Sequence, residues 1–470
     1  MRKIYLTTII SLSILSFAYG QNSDIYRISE QQKIFELSAI WKELSYNFAN
    51  MDNCEVDLDS LYLAYIPIIQ KTENDVDYCN AIKRFMAHFN NGHTYAHCPS
   101  YLSPCISHPG IETELVSNKV LIKNVIVRHA DKLNIGDEII EINGIDAIDY
   151  FKTFRCPYVG TSNPENRLSL SMFGMLTYGE FREDSLSLKI KKAAGVHTIV
   201  IYNDFTEYSS EENLKTTDHW VIEKNSRESN FFMEDTAAGW VYARLNTADQ
   251  ELSDFFMRHY PKILKSENFI IDLSMNTGGG SGYFTGFINL LINSDTICSY
   301  VEYTRNNNAL HKAWASIKLH YHSDHDVPEF YKTAYYPYYY NTSFDTIMHQ
   351  GWRNRIPSSY RYQGNVYVIT DRLTASAAEY FVIMLSQNPN ISFLGGKTNG
   401  ALGQPLVTDL PSGIRFFINS TKTYDFNGND ISSGFTPDYE CDFSSLYKIN
   451  NAEEQLKNLI ETITAIQNDE

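Results

Sequence analysis

The stretch GNVYVITDRLTASAAEYFVIML, Gly364–Leu385, decides the fold. Gly364 to Thr370 reads as a strand, a short loop follows, and Ala377 to Leu385 reads as a helix. The same order occurs upstream. Gly239 to Leu245 reads as a strand and Asn268 to Ser274 as a buried one, followed by a glycine loop and an apolar helix to about Ile292. Strand, tight loop, helix, repeated, predicts parallel α/β structure whose ligands gather at the carboxyl ends of the strands.

Within the deciding stretch, Ser376 falls where the helix begins, flanked by Ala375, Ala377 and Ala378. Small neighbours let another backbone approach the hydroxyl, and the free N–H groups of a helix N-terminus stabilise developing negative charge. Ser376 is therefore a candidate nucleophile, and a serine that only caps the helix is the plain alternative. The run Ile271-Asp272-Leu273-Ser274-Met275-Asn276-Thr277-Gly278-Gly279-Gly280 puts three glycines at a strand end. An oxyanion hole or a phosphate cradle needs such exposed amides. The run continues as Ser281-Gly282 and not as the Gly-Lys-Ser/Thr of a P-loop, which argues against nucleotide. Gly395-Gly396-Lys397-Thr398-Asn399-Gly400-Ala401 follows a further strand and is placed to line a cleft.

A serine hydroxyl needs a base at neutral pH. Of 13 histidines none lies beyond His349, so an imidazole base for Ser376 must come from earlier in the chain. His93, in Asn91-Gly92-His93-Thr94, is the candidate.

Working towards the N-terminus, helical periodicity runs from Ser29, where Ser29 and Gln32 make a capping box and Leu37, Trp41, Leu44 and Phe48 share a face. A second helix spans Leu58 to Ile66, stopped or kinked at Pro67, and a third spans Asp75 to Phe89, ended by Asn90-Asn91-Gly92. Between about Ile111 and Asn203 the period becomes two, as in a small β-rich unit with an Asn143-Gly144 turn. Tyr303 to Tyr362 reads as an insertion rich in Tyr and Asn.

The 470 residues suffice for about three domains. With 39 Lys+Arg against 56 Asp+Glu, the net charge of −17 and the lack of a long basic cluster argue against nucleic acid. Arg2 and Lys3, the apolar run Ile4 to Phe17, and Ala18-Tyr19-Gly20 predict a secretory signal over 1–20, too short to span a bilayer. Export permits disulfides among seven cysteines, and Cys98 with Cys105 is the pair most easily imagined. No CxxC pair suggests a metal site. His320, His322 and His325 form an HxHxxH cluster that would suit zinc or copper, although Asp324 and Asp326 beside them favour a solvated loop. Tyr335, Tyr336, Tyr338, Tyr339 and Tyr340 around Pro337 suit either a stacking surface or internal packing.

Taken together, the Ile271–Gly279 segment, Thr374–Glu379, Gly395–Ala401 and Gly434-Phe435-Thr436-Pro437-Asp438 resemble the tail-specific (C-terminal processing) serine peptidase family in content and order, with the Asn91–Thr94 segment and a β-rich unit ahead of them. Behind the helical segment, which makes an N-terminal domain over 21–107, the resemblance implies a PDZ-like domain over 108–205 and a catalytic α/β domain of the ClpP/crotonase type over 206–470. It implies endopeptidase cleavage of exported polypeptides, in the periplasm or outside the cell, with no metal or organic cofactor. Ser376 matches the nucleophile, Glu379 a carboxylate beside the site, and Ala377 with Gly278 or Gly279 the oxyanion hole. The Ser-Lys branch carries its lysine where this chain has Ala401, and Lys397 occupies a different position. The chain thus looks more like the tricorn-type branch, with His93 as base. That branch places a glutamate shortly before Gly-x-x-Pro-Asp, where Asp430 stands nearest. The PDZ match departs from pattern at His129-Ala130-Asp131-Lys132. The alternative function is a peptidase-fold binding protein for peptide or an apolar ligand, with little or no turnover.

Overall fold

The computed structural model describes residues 28–105, 108–172, 184–192, 195–204, 219–222, 230–348, 351–443 and 452–468. The expected signal segment lies outside them.

Six strands form the central sheet in the order Tyr439–Glu440, Ile391–Gly395, Asn365–Thr370, Asn268–Asp272, Trp240–Arg244, Phe231–Asp235. All neighbours are parallel except the edge hairpin of Phe231–Asp235 with Trp240–Arg244. Alternation of side chains along each strand gives the sheet two apolar faces. Val241, Ala243, Phe269, Ile271, Val366 and Val368 meet helices Gln250–Ile263, Thr285–Leu291 and Ala377–Leu385 through Phe255, Phe287 and Phe381. Trp240, Tyr242, Ile270, Tyr367 and Ile369 meet Leu456, Leu459 and Ile463 of helix Ala452–Asn468. Helices therefore cover both faces, and only the strand ends remain for chemistry.

The N-terminal helices form as Glu30–Asn47, Leu58–Gln70 and Asp75–Ala87, and the Ser29 side chain accepts from the N–H of Gln32. The second continues through Pro67 instead of stopping there. Their shared core contains Leu37, Ile40, Phe85 and Phe89 together with Leu410, Ile414, Phe416 and Ile418 from the far end of the chain. A three-stranded sheet of Tyr95–His97, Arg415–Asn419 and Pro405–Asp409 fastens the two regions together.

The expected Cys98–Cys105 pair is corrected: Cys98 is bonded to Cys79, with Cα atoms 5.7 Å apart. Cys79 lies on the buried face of helix Asp75–Ala87, beside strand Tyr95–His97 that Cys98 directly follows, so packing and not nearness in sequence selects the partner.

The β-rich unit is an antiparallel sheet in the order Ile111–Val116, Lys119–Val125, Glu138–Ile142, Ser185–Lys192, Gly195–Tyr202. Its core joins Ile122, Ile139 and Leu188 to Phe151 of helix Ala147–Phe154. Asn143 and Gly144 both take positive φ, as the predicted turn requires.

In the tyrosine-rich segment, helices Ala309–Ala315 and Glu329–Tyr339 pack as a hairpin. Tyr335 meets Trp314 at 5.0 Å and Tyr338 meets His311 at 4.4 Å between ring centroids, which is internal packing. His320, His322 and His325 are exposed, and among the described residues no group of three His, Cys, Asp or Glu side chains is placed to hold a metal ion.

Candidate active site

Three neighbouring parallel strands deliver the three suspected segments to one edge of the sheet. The glycine loop leaves Asn268–Asp272, the Ser376 turn leaves Asn365–Thr370, and the Gly395–Ala401 loop leaves Ile391–Gly395. Asn276 locks the first two together: its carbonyl accepts from Ala375 N at 3.0 Å, and its side chain donates to Leu245 O at 2.7 Å.

Ser376 has φ 54° and ψ −120°. An ordinary N-cap serine is extended, whereas these are the angles of the first central residue of a type II′ turn, a place for glycine. Holding a serine there costs about 1–3 kcal/mol. Ser376 stands at the head of Ala377–Leu385 and stays partly exposed, while Ala377 and Ala378 are buried. Gly278 lies against it: a Cβ on Gly278 would sit 2.6 Å from Ser376 Cβ and 3.1 Å from Ala377 N.

The oxyanion candidates differ in their present engagements. Gly278 N donates to Asn276 Oδ1 at 2.9 Å. Among the described residues, no hydrogen bond from Gly279 N or Ala377 N occurs.

Glu379 is fully buried behind Ser376. Its carboxylate accepts from Ser376 N at 3.0 Å, Thr398 Oγ1 at 2.6 Å and Gly400 N at 2.7 Å. Burial pushes its carboxyl up to about 7 against the pull of these donors and of the Ala401 backbone. Glu379 thus ties the serine turn to the Gly395–Ala401 loop from behind, and its contacts are backbone and Thr398, not an imidazole.

His93 reaches the same loop from the front. Asn91 Oδ1 accepts from His93 N at 2.9 Å and from Thr94 Oγ1 at 3.2 Å, and Thr94 Oγ1 accepts from Asn419 N at 3.0 Å. Gly92 packs so closely that a Cβ there would sit 2.6 Å from Ala401 Cβ. The imidazole Nδ1 lies 2.8 Å from Gly403 O. A carbonyl can only accept, so Nδ1 carries the proton and Nε2 presents a lone pair. Burial lowers the His93 pKa below its ordinary value, opposed by the Gly403 and Leu402 carbonyls. Its ring is neutral and basic at neutral pH.

Asp430 is not joined to this group. It is exposed on the turn after strand Thr421–Tyr424, and its carboxylate accepts from Ser432 N at 2.8 Å. The orienting partner of His93 is a backbone carbonyl, which the sequence reading missed because Gly403 bears no side chain to announce it. Lys397 Nζ points to Ser433 Oγ at 3.5 Å.

Residues 240–441 match the profile of Peptidase family S41. No curated protein matches the chain by sequence. Among solved structures, mature CPAF complexed with lactacystin is similar at TM-score 0.66 and 14% identity, covering 94% of this chain and 99% of that one. A second structure of mature CPAF gives TM-score 0.65 and 14% identity over 88% of this chain and 93% of that one. The photosystem II D1 C-terminal processing protease shares 14% identity over 88% of this chain and 93% of that one at TM-score 0.44, too low to carry an argument. At such identities the likeness to CPAF speaks for the fold. The match to Peptidase family S41 over residues 240–441 supports reading the chain as a serine-type peptidase.

Proposed function

We propose that this chain is an exported endopeptidase of the Ser-His kind, acting on extracytoplasmic polypeptides. Ser376 Oγ attacks the peptide carbonyl while His93 Nε2 takes its proton, a contribution of about 10²–10⁴ in rate. Ala377 N–H and Gly279 N–H receive the oxyanion, each donor being worth about 10²–10³. The imidazolium then returns the proton to the departing amine, and water repeats the sequence on the acyl-enzyme. The Leu402 and Gly403 carbonyls stabilise the imidazolium in place of a carboxylate.

One observation carries this reading: the loop Thr398–Gly403 holds both partners, Ser376 through Glu379 and His93 through Gly403. Position 401 supports it from another side. Ala401 Cβ fills the space against Gly92, where the Ser-Lys branch would need a lysine. For the surrounding architecture we favour a ClpP/crotonase-type catalytic domain over 206–470, with a PDZ-like unit over 108–205 that adds an extended peptide at a sheet edge. The predicted signal over 1–20 and the Cys79–Cys98 disulfide both suit an oxidising compartment outside the cytoplasm.

A fluorophosphonate probe tests the reading. Ser376 is expected to label in wild-type protein and not in S376A. Folded wild-type protein that stays unlabelled between pH 5 and 9 would favour the non-catalytic binder.

A further inference from the structure

Behind His93 lies a chain of buried hydrogen bonds that reaches a carboxylate outside every sequence motif. Gly403 O accepts from His93 Nδ1, while Gly403 N donates to Tyr380 Oη at 2.8 Å. A phenol that accepts an N–H has one proton to give onward. Tyr380 gives it to Glu302 Oε1 at 2.7 Å, and Thr421 Oγ1 donates to the same oxygen at 3.0 Å. Glu302 and Tyr380 are both buried. Burial and Glu302 hold the Tyr380 phenol well above its ordinary value, so it remains a donor.

The covalent frame of this chain matters. The Gly403 N–H, held by Tyr380, and the Gly403 carbonyl, held by His93, flank a single Cα, so fixing one constrains the other. Through Tyr380, the Glu302 carboxyl and Thr421 fix the Gly403 N–H, and with it the setting of the residue whose carbonyl accepts from His93 Nδ1. Gly403 cannot slip sideways. Its φ is 98°, and a Cβ there would sit 2.1 Å from Asn419 Oδ1 and 2.7 Å from Thr421 Oγ1. Glu302 lies on strand Val301–Arg305 and Tyr380 four residues beyond Ser376, so the relay joins the tyrosine-rich segment, the serine helix and the His93 loop.

We propose that Glu302 and Tyr380 are positioning residues for His93, holding Gly403 so that its carbonyl fixes the imidazole tautomer and stabilises its protonated form. This rests on the Ser376–His93 reading above. Among the described residues, titratable groups facing Glu302 include Tyr300, just before its strand, and Tyr380 of the packed helix, with Thr421 and Thr423 of strand Thr421–Tyr424 beside them. Lys422 of that strand pairs instead with Asp52. The groups acting on His93 are the two carbonyls.

The test is the rate of fluorophosphonate labelling of the full chain between pH 5 and 9, for wild type, E302Q, E302D and Y380F, with melting temperatures alongside. In E302Q the plateau rate is expected to fall about tenfold, part of what a general base supplies, and the midpoint to move down by about half a unit. Y380F is expected to do the same, and E302D, which keeps the charge, to recover most of the rate. Should E302Q not fold, Y380F decides, since it breaks the relay without changing charge. Wild-type midpoints in E302Q and Y380F, or slower labelling with an unmoved midpoint, would overturn the relay while leaving Ser376 activation intact. A wild-type protein that does not label at all would overturn both.

Discussion

The carboxylate of Glu379 accepts the backbone N–H of Ser376 at 3.0 Å from within the core, three residues along the same helix. The serine turn, which by itself is strained, is therefore anchored by its own helix to the loop that seats His93. A carboxylate in this place acts on the backbone around the hydroxyl and not on the proton transfer.

Glu379 makes stability depend on pH. Its folded pKa is pushed up to about 7 from the ordinary 4.5, so its stabilising share is complete below about 4.5 and is lost as pH rises through 7. Over that window the loss approaches about 3 kcal/mol. The melting temperature of wild type is expected to fall relative to that of E379Q between pH 5 and 8. Asp371, also pushed up to about 7, is common to both proteins and cancels. Parallel melting curves across that range would remove the buried carboxylate from the account.

Strain at Ser376 predicts a trade between stability and activity. S376G relieves the positive φ and S376A does not, so S376G is expected to be more stable than S376A by about 1 kcal/mol, both being inactive. Chemical denaturation of the two variants measures it. Equal stabilities would mean that the turn is not strained.

Gly92 has no room for a side chain. G92A drives a Cβ into Ala401 and is expected to displace the His93 segment, costing about 1–3 kcal/mol and lowering probe labelling at least 100-fold. G136A, whose Cβ meets nothing within 4 Å but whose φ of 89° strains the backbone, is the distant control that separates general destabilisation from displacement of His93, and is expected to label at the wild-type rate. Labelling of G92A at the wild-type rate would show that His93 sits independently of the loop.

The Cys79–Cys98 bond joins cysteines 19 positions apart and closes a loop that contains Asn91–Thr94. Its removal in C98S is expected to cost about 3 kcal/mol, by the entropy of the opened chain. Melting temperature with and without reductant checks this, and an unchanged value in the wild type under full reduction would contradict it.

Much of the fold is written in local pattern. The helix Ala377–Leu385 and the strand Asn268–Asp272 stand where the apolar runs put them, because buried parallel strands and the helices that cover them are continuous in sequence. Pro67 is different. The helix continues past it, and the carbonyl its ring displaces belongs to Leu63, on an exposed face where water can satisfy it. The site divides likewise. Ser376 and His93 carry side-chain chemistry that a motif reports. Gly403 acts through its carbonyl and Glu302 through Tyr380, and neither contact has a spacing that periodicity reveals. Asp430 was singled out by position alone, and the structure leaves it in solvent.

The central claim is that His93 activates Ser376. The most direct measurement is the rate of Ser376 labelling by a fluorophosphonate as a function of pH in wild type, H93A and K397A. Because burial lowers the imidazole pKa, the wild-type rate is expected to rise to a plateau with a midpoint below 6.5, to collapse in H93A, and to persist in K397A. Labelling that survives in H93A, disappears in K397A, or rises only above pH 8 would contradict it.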